Sequence, residues 1–332
     1  MKKTKKIKIY NKKLNKYFKE EYIKILKIFF ILIILNISIY YLSNLDFRKF
    51  ISIDFVYIGE GNAAIIKTKT KNILIDTGEG GGKKYEHGLK TFLPYILFNK
   101  IKNIDEIYIT HLDTDHFGGS LYIIKYLNVK KVYLLYGSKK YTEFKKIEEI
   151  CKKRNTKIFF IGKGYNKKIE DKVYLNVLWP EENNKEIKKE ENEIKKEKTK
   201  EKTKEKIKEN KNNNSLVLKL NIYGKKILFP GDIEKESEEK LVKKYSKSEL
   251  KSDILLSPHH GSKTSSTDVF LEKVDPKTVI ISCGKNNMFR HPNKEVLERY
   301  IKRKIKIYRT DINGLINLRL YKNNCFTLKK LI

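Results

Sequence analysis

The sequence predicts an α/β body with more than one sheet, placed behind a single membrane-spanning helix. Three observations carry this. A long apolar run near the N-terminus is long enough to cross a bilayer. From about residue 51, short β-rich runs alternate with helix-patterned ones. The strand runs are too many, and too mixed with helices, for one simple sheet. Hydrophobic residues make up 40% of the 332-residue chain and aromatics 11%, enough for the body to bury a full core.

The predicted anchor spans residues 22–43 and begins "YIKILKIFFILIILNISIYYL". Its apolar side chains surround the whole helix instead of forming one stripe, which suits lipid on all sides. Lys24 and Lys27 lie near one end, where they would snorkel to headgroups. Nine lysines precede Glu20, so the basic tail, residues 1–20, is expected in the cytoplasm and the body outside the cell membrane. No small-x-small site follows the run, so an uncleaved single-pass anchor is expected.

The body, residues 51–332, opens with three successive strands, "ISIDFVYI", "NAAIIKT" and "NILIDTG", the first two separated by the Gly-containing turn "GEG". A helix over 87–100 and a strand over 104–110 follow. The expected order is then a helix at 121–128, a strand at 130–137, a helix at 143–154, and strands at 157–162 and 173–179. Residues 181–214 interrupt the pattern with almost no apolar side chains, so a charged low-complexity insertion is expected there. Glutamates recur every four residues from Glu193 to Glu209, which also permits a solvated, salt-bridged helix. "SLVLKLNIYG" and "KKILFPG" read as a hairpin. A helix at 234–245, strands at 252–257 and 277–284, a helix at 293–301 and two closing strands complete the body.

The formal charge of +33 suits an anionic partner such as nucleic acid or a lipid surface. Only 7 of the 73 basic residues are Arg, the better residue for bidentate phosphate contacts. The excess of Lys, with Ile and Asn, also reads as plain compositional bias. Three widely spaced cysteines, Cys151, Cys283 and Cys325, form no CxxC pair and exclude a disulfide framework.

The chemistry concentrates in "THLDTDHFGGS", residues 110–120. His111, Asp113, Asp115 and His116 fall within six positions directly after a strand. On a tight turn that spacing would let all four face one pocket, which a regular strand or helix would not. Imidazole and carboxylate together suit Zn, Mn or Fe. Gly118 and Gly119 would let the chain turn into the next helix. "LFPGDIE" sets Asp232 after an apolar strand, and "LLSPHHGSKTSS" sets His259 and His260 after another. His291 follows in "FRHP", and Asp76 ends the strand of "LIDTG". Five of the six histidines thus lie in these motifs; His87 lies apart and is expected to be structural or exposed.

At these residues the chain resembles the metallo-β-lactamase fold superfamily, and within it the extracytoplasmic domain of the ComEC/Rec2 family of DNA-uptake competence proteins. The resemblance rests on "IDTG", "THLDTDHFGG", "NNSLVLKL", "LFPGDIE", "SPHHGS", "FRHPNKEVLERY" and "IYRTDINGLI", in that order, over roughly residues 51–320. It implies an αββα sandwich with the metals at one edge, and hydrolysis, with phosphodiester DNA as the favoured substrate. The chain departs from the family at "YIGEGNA", where the family pattern resembles DVGQGDA. Glu60 and Asn62 there stand in place of an amide and a carboxylate. The wider superfamily's third histidine between the first motif and the GD motif is also missing, leaving the first metal position short of ligands.

By resemblance, His111 and Asp113 would hold one divalent ion, and Asp115, His116 and one of His259 and His260 a second, with Asp232 bridging. With this many carboxylates, either Zn or Mn suits the set. Asp76 would orient a ligand. Ser262 and Lys263 would stabilise charge developing on phosphorus. The spare histidine of the pair, or His291, would protonate the leaving oxygen. A single anchor in place of the family's multi-helix channel means that moving DNA across a membrane would need a separate channel protein. Two other readings stay open: hydrolysis of a phosphorylated wall polymer or small ester, and metal or DNA binding without catalysis.

Overall fold

The computed structural model describes residues 2–44, 50–80, 88–181 and 211–331. His87 and most of the expected insertion lie outside them. The chain divides into two units, residues 1–48 and 49–332.

The described residues of the first unit form one helix, α1 (Lys2–Asn44), which therefore includes most of the expected basic tail. Its apolar part, Phe18–Ile39, has a mean hydropathy of 2.2 and no buried surface. By length and composition it qualifies as a membrane span.

In the second unit two sheets stack face to face. The first runs in the order β15 (Phe326–Leu331), β14 (Leu315–Tyr321), β1 (Phe50–Phe55), β2 (Ala63–Lys67), β3 (Asn72–Thr77), β4 (Asn103–Tyr108), β5 (Asn128–Leu135), β6 (Lys157–Ile161). The second runs β13 (Lys306–Arg309), β12 (Thr278–Ile281), β11 (Ile254–Leu256), β10 (Lys225–Phe229), β9 (Val217–Ile222), β8 (Val173–Trp179), β7 (Asn166–Glu170). Strands β3 to β6 are parallel, as are β10 to β13; the remaining pairs are antiparallel.

Side-chain alternation along each strand feeds three cores. Ile73 and Ile75 of β3 and Leu218 and Leu220 of β9 point between the sheets, where Phe55 stacks on Phe229 at 5.8 Å. Leu74 and Ile107 face outward onto α2 (Leu93–Phe98), α3 (Thr114–Tyr126) and α4 (Thr142–Lys153). On the other side, Val217, Leu228 and Leu255 face α5 (Lys235–Lys244), α6 (Lys247–Leu250), α7 (Asp268–Val274) and α8 (Lys294–Lys302). Strands buried on both faces read as near-continuous apolar runs, which is why the sequence reveals them. The result is the expected αββα sandwich.

Several elements differ from expectation. Helix α3 starts at Thr114, seven residues before the expected 121, so Asp115 and His116 sit in its first turn. Gly118 and Gly119 lie inside the helix and do not form a turn. A Cβ on Gly119 would stand 2.1 Å from the Thr77 carbonyl oxygen, and one on Gly118 would stand 2.2 Å from the Gly80 nitrogen. Close helix-to-strand approach, and not backbone freedom, requires them. Strand β7, "NKKIE", was not expected. It is a polar strand at a sheet edge that gains order only by pairing with β8. Helix α7 and the short α9 (Thr310–Asn313) were also unexpected, and three strands close the chain instead of two.

Candidate metal centre

The C-terminal ends of β3, β4, β10 and β11 meet at one edge of the sandwich. Asp115, His116, Asp232 and His260 converge there, with one donor atom from each within 4.8 Å of the others. Asp232 Oδ1 lies 3.1 Å from His116 Nε2, and Asp232 Oδ2 lies 3.3 Å from His260 Nε2. Asp115 Oδ2 is 3.3 Å from His260 Nε2 and 3.8 Å from His116 Nε2.

Each imidazole is oriented from behind. His116 Nδ1 sits 2.8 Å from Asp76 Oδ2, and Asp76 also accepts from the Thr110 backbone N–H at 2.8 Å and from its hydroxyl at 2.8 Å. His260 Nδ1 donates to the Ser282 carbonyl at 2.9 Å. Both rings therefore carry a proton on Nδ1 and aim Nε2 into the cluster. Backbone strain marks the same residues: Asp76, His259 and His260 adopt φ of 53°, 46° and 54°. At Asp232 the chain turns through Gly231, φ +60°, where a Cβ would stand 2.6 Å from the Ser215 Cβ. Ser215 Oγ accepts from the Asp232 N–H at 3.1 Å.

Electrostatics favour a cation at this point. Burial disfavours charge on His116, yet Asp232 and Asp76 hold its pKa well above the usual imidazole value. His260, also opposed by burial, is pushed up to about 10 by Asp232 and Asp115. Burial raises Asp232, but His116 and His260 outweigh it and hold the carboxylate well below its usual range. Asp115 is likewise lowered, by His116 and then His260, against burial. Either protons sit between the carboxylates and the two Nε2 atoms, or a metal ion replaces them. Two carboxylates, two imidazoles and a buried Asp232 Oδ1 lacking a hydrogen-bond donor fit a divalent ion.

His111 and Asp113 adjoin the four without joining them. The His111 ring is 4.1 Å from that of His116, and its Nε2 is 3.7 Å from Asp113 Oδ2. The Thr110 hydroxyl gives its hydrogen to Asp76, so at 3.2 Å it accepts from His111 Nδ1. That leaves His111 Nε2 as a buried lone pair without a partner. Burial, then the His116 charge, pushes His111 down to about 4, which keeps the imidazole neutral near pH 7. Asp113 is raised by burial and lies 3.5 Å from Lys211 Nζ.

Of the histidine pair, His260 joins the cluster. His259 stands at its rim, Nε2 4.0 Å from Asp232 and Nδ1 3.2 Å from Glu234. His291 is one ring further out, 5.8 Å from His259 centroid to centroid. Ser262 is buried and shares a hydrogen bond with Thr264 at 3.0 Å. Lys263 is exposed and lines a surface cleft with Glu234, Glu239 and Arg299. Neither Ser262 nor Lys263 makes any of the contacts that tie the four together.

Sequence reasoning missed Thr110, Ser215, Ser282 and Lys211, which hold these groups from other segments. Thr110 and Ser215 stood inside noticed motifs, whereas Ser282 and Lys211 carry no local signal. Glu60 and Glu79 also face Asp115, and burial raises both carboxyls.

The chain is similar to curated proteins from several bacteria. It is 30% identical to ComE operon protein 3 of Bacillus subtilis over 83% of this chain and 34% of that one. Competence protein ComA of Neisseria gonorrhoeae is 27% identical over 79% and 31%. Recombination protein 2 of Haemophilus influenzae is 26% identical over 92% and 33%. The chain thus matches about a third of the length of these relatives, and the resemblance to competence proteins holds. The profile of the metallo-beta-lactamase superfamily matches residues 56–285. With the sandwich fold and an edge cluster of His and Asp in agreement, the chain belongs to the metallo-beta-lactamase superfamily.

Proposed function

We propose that this protein is a membrane-anchored, metal-dependent phosphodiesterase that cleaves DNA. The convergence of Asp115, His116, Asp232 and His260 carries the reading. These four would hold one divalent ion, Zn or Mn. His111 and Asp113, with Asp232 shared, would hold a second. A bound divalent ion supplies Lewis acidity and makes water a nucleophile near neutral pH.

The chain's own residues do the rest. Asp76 and Ser282 hold the two imidazoles in the binding tautomer, so no reorganisation is needed when substrate arrives. His259, at the rim and outside the four, would hold a proton at Nε2 for the leaving oxygen. Glu234 lies 3.2 Å from the opposite ring nitrogen, where its charge would favour the protonated ring. DNA is favoured by the +33 charge and by the likeness to proteins named for competence and recombination. The helix Phe18–Ile39 would anchor the body outside the membrane, with the lysine-rich N-terminus inside and a separate channel protein as a partner for uptake.

The test is cleavage of linear single- and double-stranded DNA by the full chain in detergent, with Mn or Zn added, beside Asp232→Asn. Metal-dependent cleavage lost in the variant supports the nuclease. No cleavage with either ion by a folded, metal-loaded protein sinks it in favour of a non-DNA phosphoester.

A further inference from the structure

Beyond the metal cluster, the loop between β12 and α8 is unusual. Met288 is 84% and Phe289 63% exposed, so two adjacent large apolar side chains stand open to solvent. The loop is nonetheless braced. The Asn287 side chain donates to the Gly284 carbonyl at 2.9 Å and to the His291 carbonyl at 2.5 Å, and accepts from the His291 N–H at 2.8 Å. The Lys285 N–H reaches the Tyr57 hydroxyl at 3.3 Å. Phe289 is therefore presented on a held loop.

Its direction gives the exposure meaning. The phenyl ring stacks on His291 at 5.8 Å and 19°. His291 meets His259 edge-on at 5.8 Å and 65°. His259 Nε2 lies 4.0 Å from Asp232. A ladder of three rings thus leads from an open aromatic face to the edge of the metal cluster. Lys285 and Arg290 flank Phe289, both exposed and without an ion-pair partner among the described residues. No carboxylate occurs from Gly284 to Lys294.

We infer that Phe289, with Met288, Lys285 and Arg290, forms a base-stacking platform that receives an unpaired nucleobase of single-stranded nucleic acid and delivers the adjoining phosphodiester to the cluster. The flat face takes the base, and the two cations take the phosphates on either side. Every base has a π-face, so such a platform selects single strands without selecting sequence. The substrate class rests on the phosphodiesterase reading; the platform is an independent feature of the loop.

The experiment measures binding and cleavage by the full chain in detergent, using a fluorescent single-stranded oligonucleotide and an abasic strand of equal length. Wild type should bind the base-bearing strand about fivefold or more tightly, since one stack is worth roughly 1–3 kcal/mol. Phe289→Ala should lose that preference through KM more than kcat, and Phe289→Trp should keep it. Base-dependent binding without cleavage keeps the platform and sinks the nuclease. Cleavage with equal affinity for both strands, or a preference surviving in Phe289→Ala, overturns the platform and keeps the nuclease. No binding of either strand overturns both. If Phe289→Trp emission in bilayers is quenched by brominated lipid and not by oligonucleotide, against a wild-type control for Trp179, the loop meets lipid and the proposal falls.

Discussion

His116 and His260 point their Nε2 atoms at each other across 3.3 Å, while Asp76 and the Ser282 carbonyl hold the opposite nitrogens. Two acceptors held face to face repel unless positive charge lies between or beside them. Asp115 and Asp232 favour that charge, carried either by protons on the two Nε2 atoms or by a bound cation.

The histidine pair should therefore behave unequally. His260→Ala should abolish tight binding of Mn or Zn, whereas His259→Ala should retain it and lose turnover. Calorimetric titration with each ion reads the first effect. At an ion concentration of about 100 Kd, binding should stabilise the wild type by about 2.7 kcal/mol, and this gain should vanish in His260→Ala.

Asp76 binds nothing itself in this arrangement; it holds His116 and Thr110. Asp76→Asn should keep the fold yet weaken metal affinity by about 10–100-fold. Competition against a chelator of known affinity would show it. An unchanged affinity would mean that the imidazole keeps its tautomer without the carboxylate.

Gly119 is the point where α3 touches β3. Gly119→Ala would place its Cβ 2.1 Å from the Thr77 carbonyl oxygen, a backbone atom that cannot swing aside. Forcing that group into a filled site typically costs about 1–3 kcal/mol. Because α3 carries Asp115 and His116, metal affinity should fall with stability. Urea unfolding with and without Mn separates the two losses.

Glu238 offers a pH test away from the cluster. Its carboxyl is buried and pushed up to about 7 by burial, despite accepting from the Ser266 and Thr267 N–H groups at 2.5 and 2.8 Å. A carboxyl whose folded pKa is raised stabilises the fold fully below its usual value of 4.5, and this contribution is lost as pH rises through about 7. Metal-free wild type should accordingly lose more stability between pH 5 and 8 than Glu238→Gln. Parallel pH profiles in the two proteins would refute the assignment.

The sequence itself revealed the two-sheet body because many of its strands are buried on both faces and read as near-continuous apolar runs, as in "ILL" of β11 and "TVII" of β12. The apolar helix was legible for a similar reason: Phe18–Ile39 is a largely apolar run with no polar stripe. The residues of the cluster were legible too, because His and Asp at strand ends are few and conspicuous against a Lys-rich background.

The start of α3 was misplaced because helix propensity gives no weight to polar residues such as Asp115 and His116 in a first turn entered directly from a strand-end loop. Its glycines were misread because close approach is a property of two segments. Only the tertiary structure chose His260 over His259, two identical side chains side by side. The choice depends on a carbonyl 22 residues away, Ser282, which fixes one ring and aims it at Asp232. It likewise brought Phe289 into line with His291 and His259. Local sequence sets which groups a segment can offer; which of them meet is decided where strands from two sheets end at one edge.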